Sequence, residues 1–291
     1  MSAVTGRSSR MLTGSIASIS NFCEVGVEMT KINENIEGIA GAIRAAYVTA
    51  PIPPIRTQLA FQEVDTAYEI QEANTAYWLA IGRRIVGCKI GLTSPAVQKQ
   101  LGVDRPDFGI LFADMQVPEG ETIQLVRVLQ PRIEAEVAFE LGSDIDDSNP
   151  TVADIIRATA FVMPALEIVG SRIEKWDISI VDTIADNASS GLFVVGRDKR
   201  RLEGLDLREV VMRMTRHGDV VSEGKGAACL DNPLNAVAWL AGELGRRGRP
   251  LRAGDIVLSG ALGPMVQVNP GGEFEATITG LGTVSARFGE R

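Results

Sequence analysis

Pro131–Glu140 reads PRIEAEVAFE, and its alternation is that of a β-strand. Ile133, Ala135, Val137 and Phe139 share one face; Glu134, Glu136, Ala138 and Glu140 share the other. Residues two apart on a strand point the same way, about 6–7 Å from each other. Glu134 and Glu136 are therefore neighbours in an otherwise apolar stretch. Two carboxylates that close raise each other's pKa, and burying them without a cation is costly. A divalent ion removes the conflict, because one hard cation accepts oxygens from both. The competing reading is a solvent-facing strand carrying ordinary exposed glutamates.

Working outward, most of the chain repeats this β patterning. GILFADMQV, ETIQLVRVL, AFVMPALEIVG, GLFVVG, EVVMRMTRHGDVVS, GDIVLSGAL and FEATITGLGTVSARF all read as strands. RIVGCKIGLT (84–93) is a strand running into a glycine turn, and Ser94-Pro95 caps a short helix through Leu101. Helical patterning dominates before residue 82. Ile32, Ile36, Ile39, Ile43 and Tyr47 share a face; a second helix, 64–81, carries Ala67, Ile70, Ala73, Tyr77 and Ile81 as its stripe. Further helices are expected near 152–160, 178–185 and 233–244. Strand runs with segregated helices give an α+β class rather than a βαβ repeat. Residues 1–28 are Ser-rich and weakly patterned, and read as a disordered or non-native extension. Residues 29–291 read as a single domain, with a helical part at about 29–82 and a β-rich core at about 83–291.

Composition excludes several function classes. The 291 residues are 45% hydrophobic and 23% charged, as in a globular protein. No apolar run reaches the ~18–20 residues of a membrane span. A net charge of −8 without a basic stripe argues against nucleic acid; GRRGRP (245–250) reads as an exposed loop. Three scattered cysteines give no C-x-x-C pair, which fits a reducing cytoplasm. The single histidine, His217, lies in TRHGDV, a hairpin tip. A Ser-His-Asp triad and a histidine zinc site are thereby disfavoured. Chemistry must rest on carboxylates, lysine, hydroxyls or backbone amides.

Glu167 stands alone in FVMPALEIVG and needs a partner if buried. Arg172 or Lys175 could pair with it. Alternatively it completes a three-carboxylate metal set with Glu134 and Glu136, suited to Mg²⁺ or Mn²⁺. Lys89 lies mid-strand beside the glycine turn, where it could add charge or act as an acid or base if its pKa is lowered. Asp107 follows a proline at an expected turn, where aspartates are usually structural.

KIGLTS, GVDRPDFGILFADM, PRIEAEVAFEL, PALEIVGSRIEKW, DTIADNASSGLFVVG, PLNAVAWLA and GDIVLSGALGPM together resemble the 2-keto-4-pentenoate hydratase family of the fumarylacetoacetate hydrolase superfamily. The resemblance implies a mixed β-roll or partly open barrel core and a Mg²⁺ or Mn²⁺ site at Glu134, Glu136 and Glu167. It implies catalytic roles for Lys89 and Asp107, and substrate binding by Lys89, Leu92 and Ser189. The implied reaction is hydration of 2-hydroxypenta-2,4-dienoate to 4-hydroxy-2-oxopentanoate in aromatic meta-cleavage. A homo-oligomer, and association with a related decarboxylase or a downstream aldolase, are implied as well. The substituent on the dienoate stays open; Arg83, Arg84 and Arg132 are candidates to read it. Three rivals remain: 4-oxalocrotonate decarboxylation, acylpyruvate C–C hydrolysis, and a non-catalytic partner subunit. The hydrolases generally use a histidine base, and no histidine lies near these glutamates.

Overall fold

The structure is a computed structural model that describes residues 1, 34–59, 64–95, 98–99 and 103–290. Nearly all of the expected 1–28 extension, Ile32, and Leu101 at the end of the short helix lie outside the described residues.

Two sheets form the centre. The first runs β2 (Asp107–Phe112), β1 (Ile85–Gly91), β9 (Ile256–Ala261), β4 (Arg132–Leu141), β5 (Thr159–Val169), β6 (Leu192–Val195), with β10 (Val266–Gln267) on β4. Within it, β1 and β9 are parallel and the other pairings antiparallel. The second runs β3 (Thr122–Ile123), β12 (Gly282–Phe288), β11 (Glu273–Ile278), β7 (Val211–Arg216), β8 (Asp219–Lys225). β11 and β12 pack across β5, so the strand carrying Glu167 is covered by the second sheet. The α+β class and mixed-sheet core follow the expectation. His217 sits in the β7–β8 turn at φ 50, followed by Gly218 at φ 89, the left-handed pair that a two-residue hairpin requires.

Two local readings differ. ETIQLVRVL is not one strand: β3 covers only Thr122–Ile123, and Leu125–Arg127 forms a single tight helical turn with Val126 exposed. On the helix Val64–Ala80, the buried face is Ala67, Ile70, Gln71, Asn74 and Trp78, while Tyr77 and Ile81 are exposed. Polar residues hid that face. Gln71 is buried because its Nε2 donates to the carbonyls of Phe108 and Ile184, each at 2.9 Å. Those two bonds tie the helical part to β2 and to the short helix Ile180–Ala185, which both border the site. The helix Pro233–Arg246 opens as expected, with Asn232 accepting from Leu234 N and Pro233 in its first turn. None of the described helices is long and apolar enough to cross a membrane.

Candidate metal centre and active site

β4 has both faces buried. Ile133, Ala135, Val137 and Phe139 enter the apolar core, and Glu134 and Glu136 face the interior of the first sheet. The reading of an exposed charged strand is therefore excluded. Antiparallel register sets Glu134 directly opposite Glu167 on β5, and Glu136 opposite Ala165 and Ala261. The two alanines leave the space that the Glu136 carboxylate occupies. One oxygen from each of Glu134, Glu136 and Glu167 lies within 4.8 Å of the others. Glu136 is anchored by Gly260 N, which donates to its Oε2 at 2.7 Å. Gly260 has φ +107, and a Cβ there would stand 2.4 Å from Thr93 Oγ1. Only glycine lets this backbone reach the carboxylate.

The arginine proposed as partner for Glu167 is engaged elsewhere. Arg172 is buried, forms an ion pair with Asp186, and donates to Ser190 O at 2.8 Å and Asp186 O at 2.7 Å. Lys175 is exposed, whereas Glu167 is fully buried. The cation beside Glu167 is Lys89, whose Nζ stands 3.4 Å from Oε2 and donates to Ala188 O at 2.9 Å. Lys89 is itself buried, 3% exposed.

Asp107 opens β2 rather than ending a turn, and it is buried. The chain approaches it closely at Gly91, where a Cβ would lie 2.2 Å from Asp107 Oδ1 and 3.2 Å from Lys89 Nζ. Leu92 follows at φ 55. Ser189 belongs to a run of left-handed residues, Asn187 (φ 54), Ala188 (φ 51) and Ser189 (φ 54). Such geometry costs of order 1–3 kcal/mol per residue and persists only when its surroundings impose it. Here Asn187 imposes it: Oδ1 accepts from Ile110 N at 2.7 Å and Nδ2 donates to Ile110 O at 2.9 Å. The Arg172–Asp186 pair holds the same turn from behind. Sequence reasoning picked Ser189 from DNAS and passed over Asn187 and Asp186, which position it.

Lys89, Leu92, Asp107, Glu134 and Ser189 all line one cavity of about 650 Å³, counted with its open mouth. Arg83 is paired with Asp114 at 2.9 Å, and neither it nor Arg84 lines the cavity. Arg132 lies beside it, its guanidinium 4.5 Å from the Trp176 ring centre.

The polar inventory fits a cation. Both oxygens of Glu167, Oε1 of Glu136 and both oxygens of Asp107 are buried without a hydrogen-bond partner. Orphaned buried carboxylates of this kind are rare in proteins. Burial pushes Glu134 up, with Lys89 opposing. Burial, then Glu167 and Glu134, drives Glu136 well above the usual range. Burial raises Glu167 to about 7, against the pull of Lys89. Asp107 is raised by burial, again opposed by Lys89. For Lys89, burial pulls downward, but Glu167, Asp107, Glu134 and Glu136 together outweigh it, and the net direction is up. That direction favours the ammonium in the metal-free fold, where Lys89 donates to Ala188 O and faces Glu167.

The sign of the carboxylate shifts sets a pH dependence. Glu167 moves from 4.5 to about 7 on folding, so between those values the folded state binds more protons than the unfolded state. Stability then falls as pH rises. The metal-free protein is expected to lose several degrees of Tm between pH 4.5 and 7. Added Mn²⁺ should offset the loss by binding the ionised carboxylates. Thermal melts across pH, with EDTA and with Mn²⁺, check this; a metal-free Tm that rises steadily from pH 4.5 to 7 contradicts it.

Residues 88–288 match the model of the fumarylacetoacetate (FAA) hydrolase C-terminal family. The chain is 57% identical over 253 residues to 2-keto-4-pentenoate hydratase 2 of Dechloromonas aromatica, covering 87% of this chain and 97% of that one. It is 59% identical over 237 residues to the TodF product hydratase of Pseudomonas putida, covering 81% and 88%. Among solved structures, 4-oxalocrotonate decarboxylase from Pseudomonas putida G7, complexed with magnesium and adipate, aligns with a TM-score of 0.85 at 34% identity. That alignment covers 88% of this chain and 98% of the decarboxylase. With the carboxylate cluster, the lysine and the mixed-sheet core in place, the chain belongs to the fumarylacetoacetate hydrolase superfamily and, within it, to the 2-keto-4-pentenoate hydratase family.

Proposed function

We propose that this chain adds water to 2-hydroxypenta-2,4-dienoate, giving 4-hydroxy-2-oxopentanoate, with Mg²⁺ or Mn²⁺ held by Glu134, Glu136 and Glu167. The observation that carries the reading is the meeting of three buried glutamates with Lys89 and Asp107, five of whose carboxylate oxygens have no hydrogen-bond partner. An all-oxygen donor set suits a hard divalent ion and disfavours zinc. When bound, the ion supplies Lewis-acid charge to the carboxylate and 2-oxygen end of the substrate.

The chain's own residues account for the remaining steps. The dienol ketonises by losing its 2-hydroxyl proton and gaining a proton at C5, which leaves a 2-oxo-3-enoate. Water oxygen then bonds to C4, its proton leaves, and C3 is protonated. Lys89, buried beside Glu167, faces the cavity and donates to negative charge developing at the 2-oxygen. Asp107, with both oxygens unpartnered and its pKa raised, holds and moves a proton at C5 or at the attacking water. Ser189 and the Leu92 turn line the same space and orient the substrate.

The test is an ultraviolet assay on freshly generated dienoate. Loss of the diene absorbance, abolished by EDTA and restored by Mn²⁺, with 4-hydroxy-2-oxopentanoate as product, is the expected result. Release of CO₂ from 4-oxalocrotonate without turnover of the dienoate would replace hydration by decarboxylation. Turnover of neither would favour a partner-subunit role.

A further inference from the structure

One wall of the cavity is built by residues that the reaction scheme leaves unused. Trp176 lines it with Val169, Ile178 and Met265. The wall lies in a definite direction from the carboxylates. Arg132 is two residues before Glu134 on β4 and shares its face, so it stands about 6–7 Å along the strand. The Trp176 ring lies over the Arg132 guanidinium, 4.5 Å from it. Arg132 Nη1 also reaches Met265 Sδ at 3.7 Å.

The backbone carrying Trp176 is held in an unfavourable shape. Lys175 and Trp176 are consecutive left-handed residues, at φ 58 and 57, and neither is glycine. Gln130, itself at φ 51, fastens them. Its Nε2 donates to Ser171 O at 2.9 Å and to Ile173 O at 2.7 Å. Its Oε1 accepts from Lys175 N at 2.7 Å, and its carbonyl accepts from the indole Nε1 at 3.0 Å. One residue thus makes four bonds to one short segment. Strain of this kind survives where the surroundings over-determine it, and it concentrates at ligand sites. The indole is fixed through its N–H and one face, so it cannot swing away from the cavity.

A substrate whose carboxylate and 2-oxygen lie at the glutamates must send its hydrocarbon tail along the cavity. On one side of that cavity it meets the wall formed by Trp176, Val169, Ile178 and Met265. We propose that Trp176 is a specificity-determining residue that limits the length of the substrate's tail, and that Gln130 is the positioning residue that holds it there. This rests on the hydratase reading for its substrate, and on the structure alone for the wall.

The experiment compares kcat/KM for 2-hydroxypenta-2,4-dienoate and its methyl-extended homologue, 2-hydroxyhexa-2,4-dienoate, in wild type, Trp176→Ala, Trp176→Phe and Gln130→Ala. One methylene in an apolar pocket changes discrimination by roughly 10–200-fold. Trp176→Ala is expected to raise the six-carbon to five-carbon ratio by about tenfold or more. Trp176→Phe, which keeps an apolar ring, should raise it less. Gln130→Ala should move the ratio the same way, chiefly through KM. An unchanged ratio in Trp176→Ala, with both substrates falling together or neither falling, overturns the proposal.

Calorimetric binding of saturated 2-oxo acids of increasing length, with Mn²⁺ present, reads the wall without turnover. A wild-type length limit that Trp176→Ala relaxes supports the proposal even if no dienoate is hydrated, in which case only the reaction assignment fails. A limit that does not move overturns the proposal whatever the turnover.

Discussion

Replacing Glu136 by glutamine is expected to lower kcat/KM for the dienoate by about a thousandfold, leave the fold intact and abolish stabilisation by Mn²⁺. Glu136 is fully buried, and its Oε2 already accepts from Gly260 N. The glutamine carbonyl keeps that bond. The other oxygen, now without a partner, becomes an NH₂ that cannot ligate a cation. Losing several kcal/mol of Lewis-acid stabilisation corresponds to a loss of about that size. Stability of the metal-free protein should move the other way. Glu136 is driven well above the ordinary range by burial and by Glu167 and Glu134, so in the metal-free fold its ionised form is a liability that glutamine removes. A higher metal-free Tm at pH 8, joined to a vanished Mn²⁺ increment, is the signature. A variant that still gains Tm with Mn²⁺ and retains wild-type turnover contradicts the assignment.

Lys89→Met separates electrostatics from metal binding. The ammonium stands 3.4 Å from Glu167 and carries the bond to Ala188 O. Removing it takes away the counter-charge that opposes burial at Glu167, Glu134 and Asp107, so their pKa values rise further. The metal-free variant should therefore lose stability progressively as pH rises and these groups are forced to ionise. Mn²⁺ should rescue it, because the three glutamates keep their geometry and lose a competing cation. Turnover should still fall by about 10²–10³ even when metal is saturating, since the donor aimed at the developing oxyanion is gone. Melts with and without Mn²⁺, read beside kcat at saturating metal, check both halves. Full activity of rescued Lys89→Met would remove the lysine from the mechanism.

How much of this was legible in the sequence differs from residue to residue. Period-2 alternation placed Glu134 and Glu136 on one strand face, because side-chain direction along a strand is a local property. Isolation among apolar residues marked Glu167 as needing a partner. Which partner it takes depends on the pairing of β4 with β5 and of β1 with β9, and strand pairing is non-local. Proximity in sequence offers Arg172 and Lys175, yet the fold commits the arginine to Asp186 and leaves the lysine exposed. Asp107 looked like a turn residue because Pro106 precedes it; β1 pairing turns the position into a buried strand end. The face of Val64–Ala80 was misplaced because Gln71 and Asn74 are polar yet buried, a burial justified only by carbonyls and an arginine from other elements. Left-handed backbone at Asn187–Ser189 and at Lys175–Trp176 carries no glycine signal at all. Only tertiary contacts impose it.

The central claim is that Glu134, Glu136 and Glu167 hold a divalent ion at the head of the cavity. Anomalous diffraction from a crystal soaked in Mn²⁺, collected near the manganese absorption edge, tests it most directly. The expected result is a single strong peak between these three carboxylates, within bonding distance of each and absent from Glu136→Gln crystals. A peak elsewhere, or no peak from protein whose turnover withstands EDTA, would contradict the account.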